Sequence, residues 1–275
     1  MRSSATSTEP EKTRQWGPWS DATVRTIGIV PARMAASRFP GKPLYPINGK
    51  PMLQHVFERA SMYECWDELV VATCDDVIAE FAKTKGYPVL MTGSHHVRAL
   101  DRVAEAAELL GADSAADDIV VCVQADEPLL TADMFPALIE PLVSRVDVQA
   151  TVLAMQIADE DQWRNPDTVK IIANAAGEVL YTSRAAVPYS KGGFSPEIAA
   201  RRIFGLFAFR APALKAFTEF EETRLENLEA CDSNRILDMG FRQHIAPFPA
   251  VPAFSVDSPE DVVLVEAALR ERDQT

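Results

Sequence analysis

Apolar and polar positions follow two rhythms along the first half of the chain. Residues 26–30, Thr-Ile-Gly-Ile-Val, form a short apolar run that stops at Pro31 and predicts a buried strand ending in a loop. From Met52 to Ala60, apolar side chains recur at Met52, Leu53, Val56, Phe57 and Ala60, the spacing of one helix face. The pattern then predicts a strand over Glu68 to Thr73, a helix from Val77 to Lys85, a strand near Pro88 to Met91 and an alanine-rich helix from Asp101 to Leu110. A further strand, Ile119 to Gln124, is almost wholly apolar. Strands without polar alternation are buried on both faces, so the alternation of strand and helix predicts an α/β fold, a mostly parallel sheet covered by helices.

Beyond about residue 148 the strands lengthen and alternate: Val148 to Gln156, Val169 to Ile172 and Ile203 to Phe209, with a turn over Asn174 to Gly177. Arg224 to Met239 returns to helical spacing. Asp257 ends a further short strand, and Ser258 opens a final helix, with Pro259 next and Asp261 three residues after the cap. The expected organisation is a flexible N-terminal tail (1–25) and a single domain (26–275). Within it, 26–147 carries the strand–helix alternation, 148–245 a smaller extension on the same sheet that faces a substrate, and 246–275 a closing strand with the C-terminal helix.

Composition narrows the class. At 275 residues the chain buries a sizeable core without covalent staples, and no stretch approaches the roughly 20 apolar residues of a membrane span. The first 25 residues lack the apolar stretch of a secretory signal, so a cytoplasmic protein is expected. Cys65, Cys74, Cys122 and Cys231 contain no C-x-x-C pair, which argues against a zinc knuckle or a disulfide framework. His55, His95, His96 and His244 lack the spacing of a metal pair or a catalytic triad. A net charge of −13 repels nucleic acid and favours a free nucleotide, met by local cations, backbone amides or a divalent ion.

Three segments carry candidate chemistry. Pro31-Ala-Arg-Met-Ala-Ala-Ser-Arg-Phe-Pro-Gly-Lys-Pro-Leu44 places Arg33, Ser37, Arg38 and Lys42 in a glycine-containing loop directly after a buried strand. That is where a triphosphate is cradled in an open sheet; taken alone, a solvated basic loop fits equally well. Its spacing is not that of a Walker A loop. In Val-Val-Cys-Val-Gln-Ala-Asp-Glu-Pro, Asp126 follows the end of an apolar strand, as a Mg²⁺ ligand or as the opening of a turn before Pro128. In Phe-Ser-Val-Asp-Ser-Pro-Glu-Asp, Asp257 precedes the final helix and fits a ligand and a turn residue equally.

In this order and at these separations, the three segments resemble the 3-deoxy-manno-octulosonate (Kdo) cytidylyltransferase family. Its usual versions run P-A-R-x-x-S-x-R-L-P-G-K-P-L, V-Q-G-D-E-P and V-D-T-P-E-D. Further similar pieces are Asn48-Gly-Lys-Pro-Met52, Ala72-Thr-Cys-Asp-Asp76, Asp101-Arg102, Asn165-Pro166, Val169-Lys170, Tyr181-Thr-Ser-Arg184 and Leu225-Glu226, so the likeness spans about residues 26 to 270. The resemblance implies a Rossmann-like nucleotidyltransferase fold and a homodimer that uses CTP and Mg²⁺ to transfer CMP to a small acidic sugar, releasing pyrophosphate in lipopolysaccharide biosynthesis. It implies nucleotide contacts from Ala32, Arg33, Ser37, Arg38, Lys42, Asp75, Asp76 and Arg102, with Arg33, Lys42, Asp126 and Asp257 at the reacting centre. It further implies metal ligation by Asp126 and Asp257, and acceptor contacts from Gln124, Arg184, Phe207, Glu226 and Asn227. For the three parts of the domain it implies nucleotide binding by 26–147, dimerisation through 148–245 and a metal ligand in 246–275.

The departures from the pattern concentrate away from the phosphates. The usual S-G-T-D-R reads Arg98-Ala-Leu-Asp-Arg102, H-I-G-I-Y-G-Y-R reads Ile203-Phe-Gly-Leu-Phe-Ala-Phe-Arg210, L-E-Q reads Leu225-Glu-Asn227, and V-Q-G-D reads Val123-Gln-Ala-Asp126. A histidine and two tyrosine hydroxyls are lost. Removing a partner from a buried polar group costs roughly 1 to 3 kcal/mol, so the expectation is a retained phosphate-transfer half and a re-cut acceptor half. Two alternatives follow: transfer to another acidic acceptor, such as a phosphonate or sugar phosphate met by Arg98, or a non-catalytic nucleotide-binding relative.

Overall fold

The computed structural model describes residues 24–35, 39–96, 98–112 and 118–272. Ser37 and Arg38, and nearly all of the expected tail, lie outside the described residues. In chain order the elements are β1 (Thr26–Ala32), a small hairpin of β2 (Pro46–Ile47) and β3 (Lys50–Pro51), α1 (Met52–Ala60), β4 (Glu68–Thr73), α2 (Asp76–Thr84), β5 (Val89–Met91), α3 (Ala99–Leu109), β6 (Ile119–Val123) and α4 (Met134–Ser144). Then come β7 (Ala150–Gln156), α5 (Glu160–Arg164), β8 (Lys170–Ala173), β9 (Val179–Ser183), β10 (Arg201–Arg210), α6 (Ala211–Glu219), α7 (Arg224–Glu229), α8 (Ser233–Asp238), β11 (Gln243–Phe248) and α9 (Pro259–Arg272).

The main sheet runs β11-β7-β10-β6-β1-β4-β5, with β8 and β9 added beside the start of β10. β1 pairs in parallel with β4 and β6, β4 with β5, and β11 with β7; β10 runs antiparallel to both β6 and β7. Only β10 is therefore reversed along that path, as expected of a mostly parallel α/β sheet. Helices cover both faces. α1, α4 and α9 contribute Leu53, Val56, Phe135, Leu138, Val265 and Leu269 to one buried layer, while α3, α6 and α8 bring Leu100, Val103, Leu214, Phe217 and Ile236 to the other.

Several expectations need correction. β1 does not stop at Pro31 but runs to Ala32, because β6 pairs with it only as far as Ile29 and the missing proline N–H falls where that side of the ladder has ended. The helical stretch 224–239 is two helices, broken at Ala230 with φ 48°. α4 was hidden by Pro136 near its start and Pro141 inside it. The strand expected before Asp257 is not one: residues 249–258 form neither helix nor strand, and Pro249 and Pro252 cannot donate to a ladder.

Candidate active site

The C-terminal ends of β1, β4 and β6 lie side by side, and each delivers one part of the site, as open parallel sheets do. After β1 the chain makes a loop whose ends are tied down. The Met34 N–H donates to Asp75 Oδ2 at 2.8 Å, and the Gly41 N–H donates to the Met34 carbonyl at 2.9 Å. Gly41 has φ 77°, a conformation a side chain disfavours. Closing the loop there aims Lys42 back across the sheet end. Asp75, immediately before α2, thus acts on the loop, whereas Asp76 in the first turn of α2 is exposed.

Lys42 reaches the far side of the cleft. Its Nζ donates to Asp126 Oδ2 at 2.8 Å and to the Val256 carbonyl at 2.8 Å, and lies 3.8 Å from Asp257 Oδ1. Two carboxylates separated by 131 positions in sequence therefore converge on one positive charge. Asp257 arrives with the aid of Asp261, whose Oδ2 accepts from the Asp257 and Ser258 N–H groups at 2.9 and 2.8 Å.

A cleft of about 230 Å³ opens beside this cluster, lined among others by Ala32, Arg33, Lys42, Arg102, Gln124 and Asp126. Arg33 donates to the His96 carbonyl at 3.4 Å. Arg102 is buried, donating to Thr92 Oγ1 and, at 3.2 Å, to the Gly93 carbonyl. Gln124 donates its N–H to the Gly205 carbonyl at 3.1 Å. Next to Asp126, burial and the neighbouring Asp126 charge push the Glu127 carboxyl up to about 8.

The two aspartates suit a hard divalent cation. Asp126 Oδ1 is buried and accepts no hydrogen bond from the described residues, and the Lys42 ammonium already shows that the space between the carboxylates takes a cation. Among the described residues no group of three or more His, Cys, Asp or Glu side chains is placed to hold a metal ion. A pair of carboxylates is the donor set of Mg²⁺, which keeps waters and phosphate oxygens for its remaining positions.

Of the remaining sequence-predicted residues, Arg184, Glu226 and Asn227 lie on or beside the arm formed by α7 and α8, and Phe207 does not. Glu226 is fully buried: it completes a capping box with Thr223 and holds Arg235 through both oxygens at 2.6 and 2.7 Å. Arg98, also at the cleft, crosses to that arm. Its guanidinium meets Glu222 at 2.8 Å, Asp232 at 2.7 Å, Glu226 at 3.0 Å and the Asn227 side chain at 3.3 Å. Burial opposes its charge, yet Glu222, Asp232 and Glu226 more than compensate and raise its pKa. Arg184 is engaged with the backbone carbonyls of Glu229 and Pro166, both at 2.8 Å. Phe207 is buried in the core layer of β10. Sequence reasoning placed Asp261 at the cap of the final helix but missed its bond to the Asp257 N–H, and it missed Ser255 and the three-carboxylate partnership of Arg98; only the excess of acids over 221–232 hinted at the last.

With this geometry in view, the family model described as cytidylyltransferase matches residues 27–243. The chain belongs to the cytidylyltransferase family. It is 41% identical over 248 residues to a 3-deoxy-manno-octulosonate cytidylyltransferase of Nitratidesulfovibrio vulgaris strain DP4, covering 90% of this chain and 96% of that protein. It is 37% identical over 250 residues to the enzyme of the same name from Haemophilus influenzae strain Rd, covering 88% and 97%. Among solved structures, a CMP:2-keto-3-deoxy-manno-octonic acid synthetase complexed with CTP superposes with a TM-score of 0.81 at 28% identity, over 90% of this chain and 99% of that one. A 4-diphosphocytidyl-2C-methyl-D-erythritol synthase shares the fold, at a TM-score of 0.60 and 18% identity. The cytidylyltransferase match spans β1 to the start of β11, and the Asp257 segment lies beyond it.

Proposed function

We propose that this cytidylyltransferase transfers CMP from CTP to Kdo or a closely related 3-deoxy-2-keto sugar acid, releasing pyrophosphate, as a cytoplasmic homodimer dependent on Mg²⁺. The observation that carries the reading is the convergence of Lys42, Asp126 and Asp257 beside a cleft lined by Arg33 and Arg102. Names of relatives 37 and 41% identical over most of the chain support the acceptor.

Chemistry follows from charge. The sugar hydroxyl attacks the α-phosphorus in line with the departing pyrophosphate, and no covalent enzyme intermediate is required. Arg33 and Lys42 offset negative charge on the phosphate oxygens, and the walls of the cleft orient the nucleotide. Asp126 and Asp257 would hold Mg²⁺, which when bound supplies further charge neutralisation at the phosphates. Transfer to a phosphonate or sugar phosphate relied on Arg98 as the anion receptor, and that guanidinium is already surrounded by three carboxylates.

The test is pyrophosphate release by purified protein with CTP and Mg²⁺, comparing Kdo with no acceptor and UTP or ATP in place of CTP. Kdo-dependent release specific to CTP is expected. CTP binding without turnover on Kdo would move the search to other acidic acceptors, and silence on every acceptor would leave a nucleotide-binding relative. Light scattering of the same sample decides the homodimer.

A further inference from the structure

The sheet does not place Asp257. β11 ends at Phe248 and α9 begins at Pro259, leaving ten residues outside any regular element. Contacts from the Asp126–Glu127 turn and from β10 fix that stretch. The Val256 N–H donates to the Asp126 carbonyl at 2.9 Å, Arg202 donates to the Ala253 carbonyl at 2.6 Å, and the Ser255 hydroxyl donates to Glu127 Oε1 at 2.6 Å. Glu127 is 2% exposed, and the same Oε1 also accepts the Gly205 N–H of β10 at 2.9 Å. Its other oxygen, Oε2, is buried and has no hydrogen-bond partner among the described residues.

Position 205 must lack a side chain for this arrangement. A Cβ there would stand 2.7 Å from Glu127 Oε1, 2.9 Å from Glu127 Cγ and 2.7 Å from Gln124 Oε1. Glu127 is therefore wedged between β10 and the 249–258 stretch, one residue after Asp126 and two before Asp257 through Ser255. A buried carboxylic side chain whose hydrogen bonds go to a serine hydroxyl and a backbone amide, with the Arg202 charge nearby, has the geometry of a spacer.

We propose that Glu127 and Ser255 form a positioning strut that sets Asp257 opposite Asp126 and so tunes divalent-cation affinity. The proposal rests on the reading of those two aspartates as the cation site. Neither strut residue touches the cation; each acts through the aspartate beside it in the chain.

The test titrates Mn²⁺ by electron paramagnetic resonance into full-length protein saturated with CTP, without acceptor, alongside Mg²⁺-dependent turnover. Ser255→Ala should weaken Mn²⁺ binding about fivefold, the scale of one lost hydrogen bond, and raise the half-saturating Mg²⁺ concentration equally, while kcat at saturating Mg²⁺ changes far less. Ser255→Thr keeps the hydroxyl and should restore binding. Glu127→Gln keeps the accepting oxygen and should bind Mn²⁺ within about twofold of wild type, whereas Glu127→Ala should lose affinity and gain no further defect from Ser255→Ala. Wild-type Mn²⁺ affinity in Ser255→Ala overturns the strut, as does a loss that merely tracks the melting temperature. Failure of the wild type to bind Mn²⁺ overturns the cation site itself, and the strut with it.

Discussion

Asp126 shows how little of a residue's role lies in its own neighbourhood. As a turn residue after β6 it would be unremarkable, but one oxygen meets Lys42 and the other is buried without a partner among the described residues, an arrangement costly unless something positive completes it. Asp126→Ala should lower turnover by at least about 10²-fold, with a circular dichroism spectrum and melting temperature close to wild type; near-normal rates would remove the proposed cation site. Gly205 is the converse case, defined by the absence of a side chain. Gly205→Ala should destabilise by about 1 to 3 kcal/mol, measured as a downward shift of the urea midpoint. His55 provides a pH-dependent term. Burial lowers its pKa below the usual 6.5, opposed by the bond to the Ile47 carbonyl at 2.8 Å. Between the folded value and 6.5 the unfolded chain binds more protons than the folded one, so this stability is lost as pH falls through that window. Burial lowers His244 in the same direction. Melting temperature should therefore decline below pH 6.5, with a shallower slope in His55→Gln.

Among the elements, the α7–α8 arm depends on charge brought from α3's entrance. Arg98 supplies that charge from the residue before α3, while Arg235 supplies it from within α8 and stacks over Phe217 at 4.3 Å. Arg98→Ala leaves Glu226 and Asp232 with one cation fewer in partly buried surroundings, so a loss of about 2 to 3 kcal/mol is expected. Thr223→Ala, which removes only half of the capping box, should cost about 1 kcal/mol. Thermal melts of the two variants check both values, and a smaller loss in Arg98→Ala than in Thr223→Ala would show that the three carboxylates repel less than their proximity implies. This arm also explains why the residues aligned with the family's acceptor segment were readable as motif but not as contacts. Glu226 and Asn227 both lie on α7, yet their partners come from positions 98 and 235.

At the scale of the whole molecule, β1, β4, β6 and the 249–258 stretch frame the cleft, the strands held by the sheet and the stretch by hydrogen bonds such as that from the Val256 N–H to the Asp126 carbonyl. A ligand that binds only the folded form stabilises it by about 2.7 kcal/mol at a hundredfold excess over Kd. CTP with Mg²⁺ should accordingly raise the melting temperature by about 5 °C or more, and UTP by clearly less; equal shifts would deny the cytidine preference independently of any acceptor. Local pattern alone determined α1 and β4 to the residue and the parallel core, because apolar periodicity and turn chemistry are short-range properties written in neighbouring side chains; it marked the segments carrying Arg33, Lys42, Asp126 and Asp257 only as candidates, to which the family resemblance attached roles. Tertiary structure alone decided that Lys42 faces both aspartates, that Arg98 is spent on Glu222, Glu226 and Asp232, and that Glu127 braces Ser255. Those pairings span from 84 to 215 positions of chain, and electrostatics and packing at such separations depend on distance in space, which folding sets and sequence spacing does not.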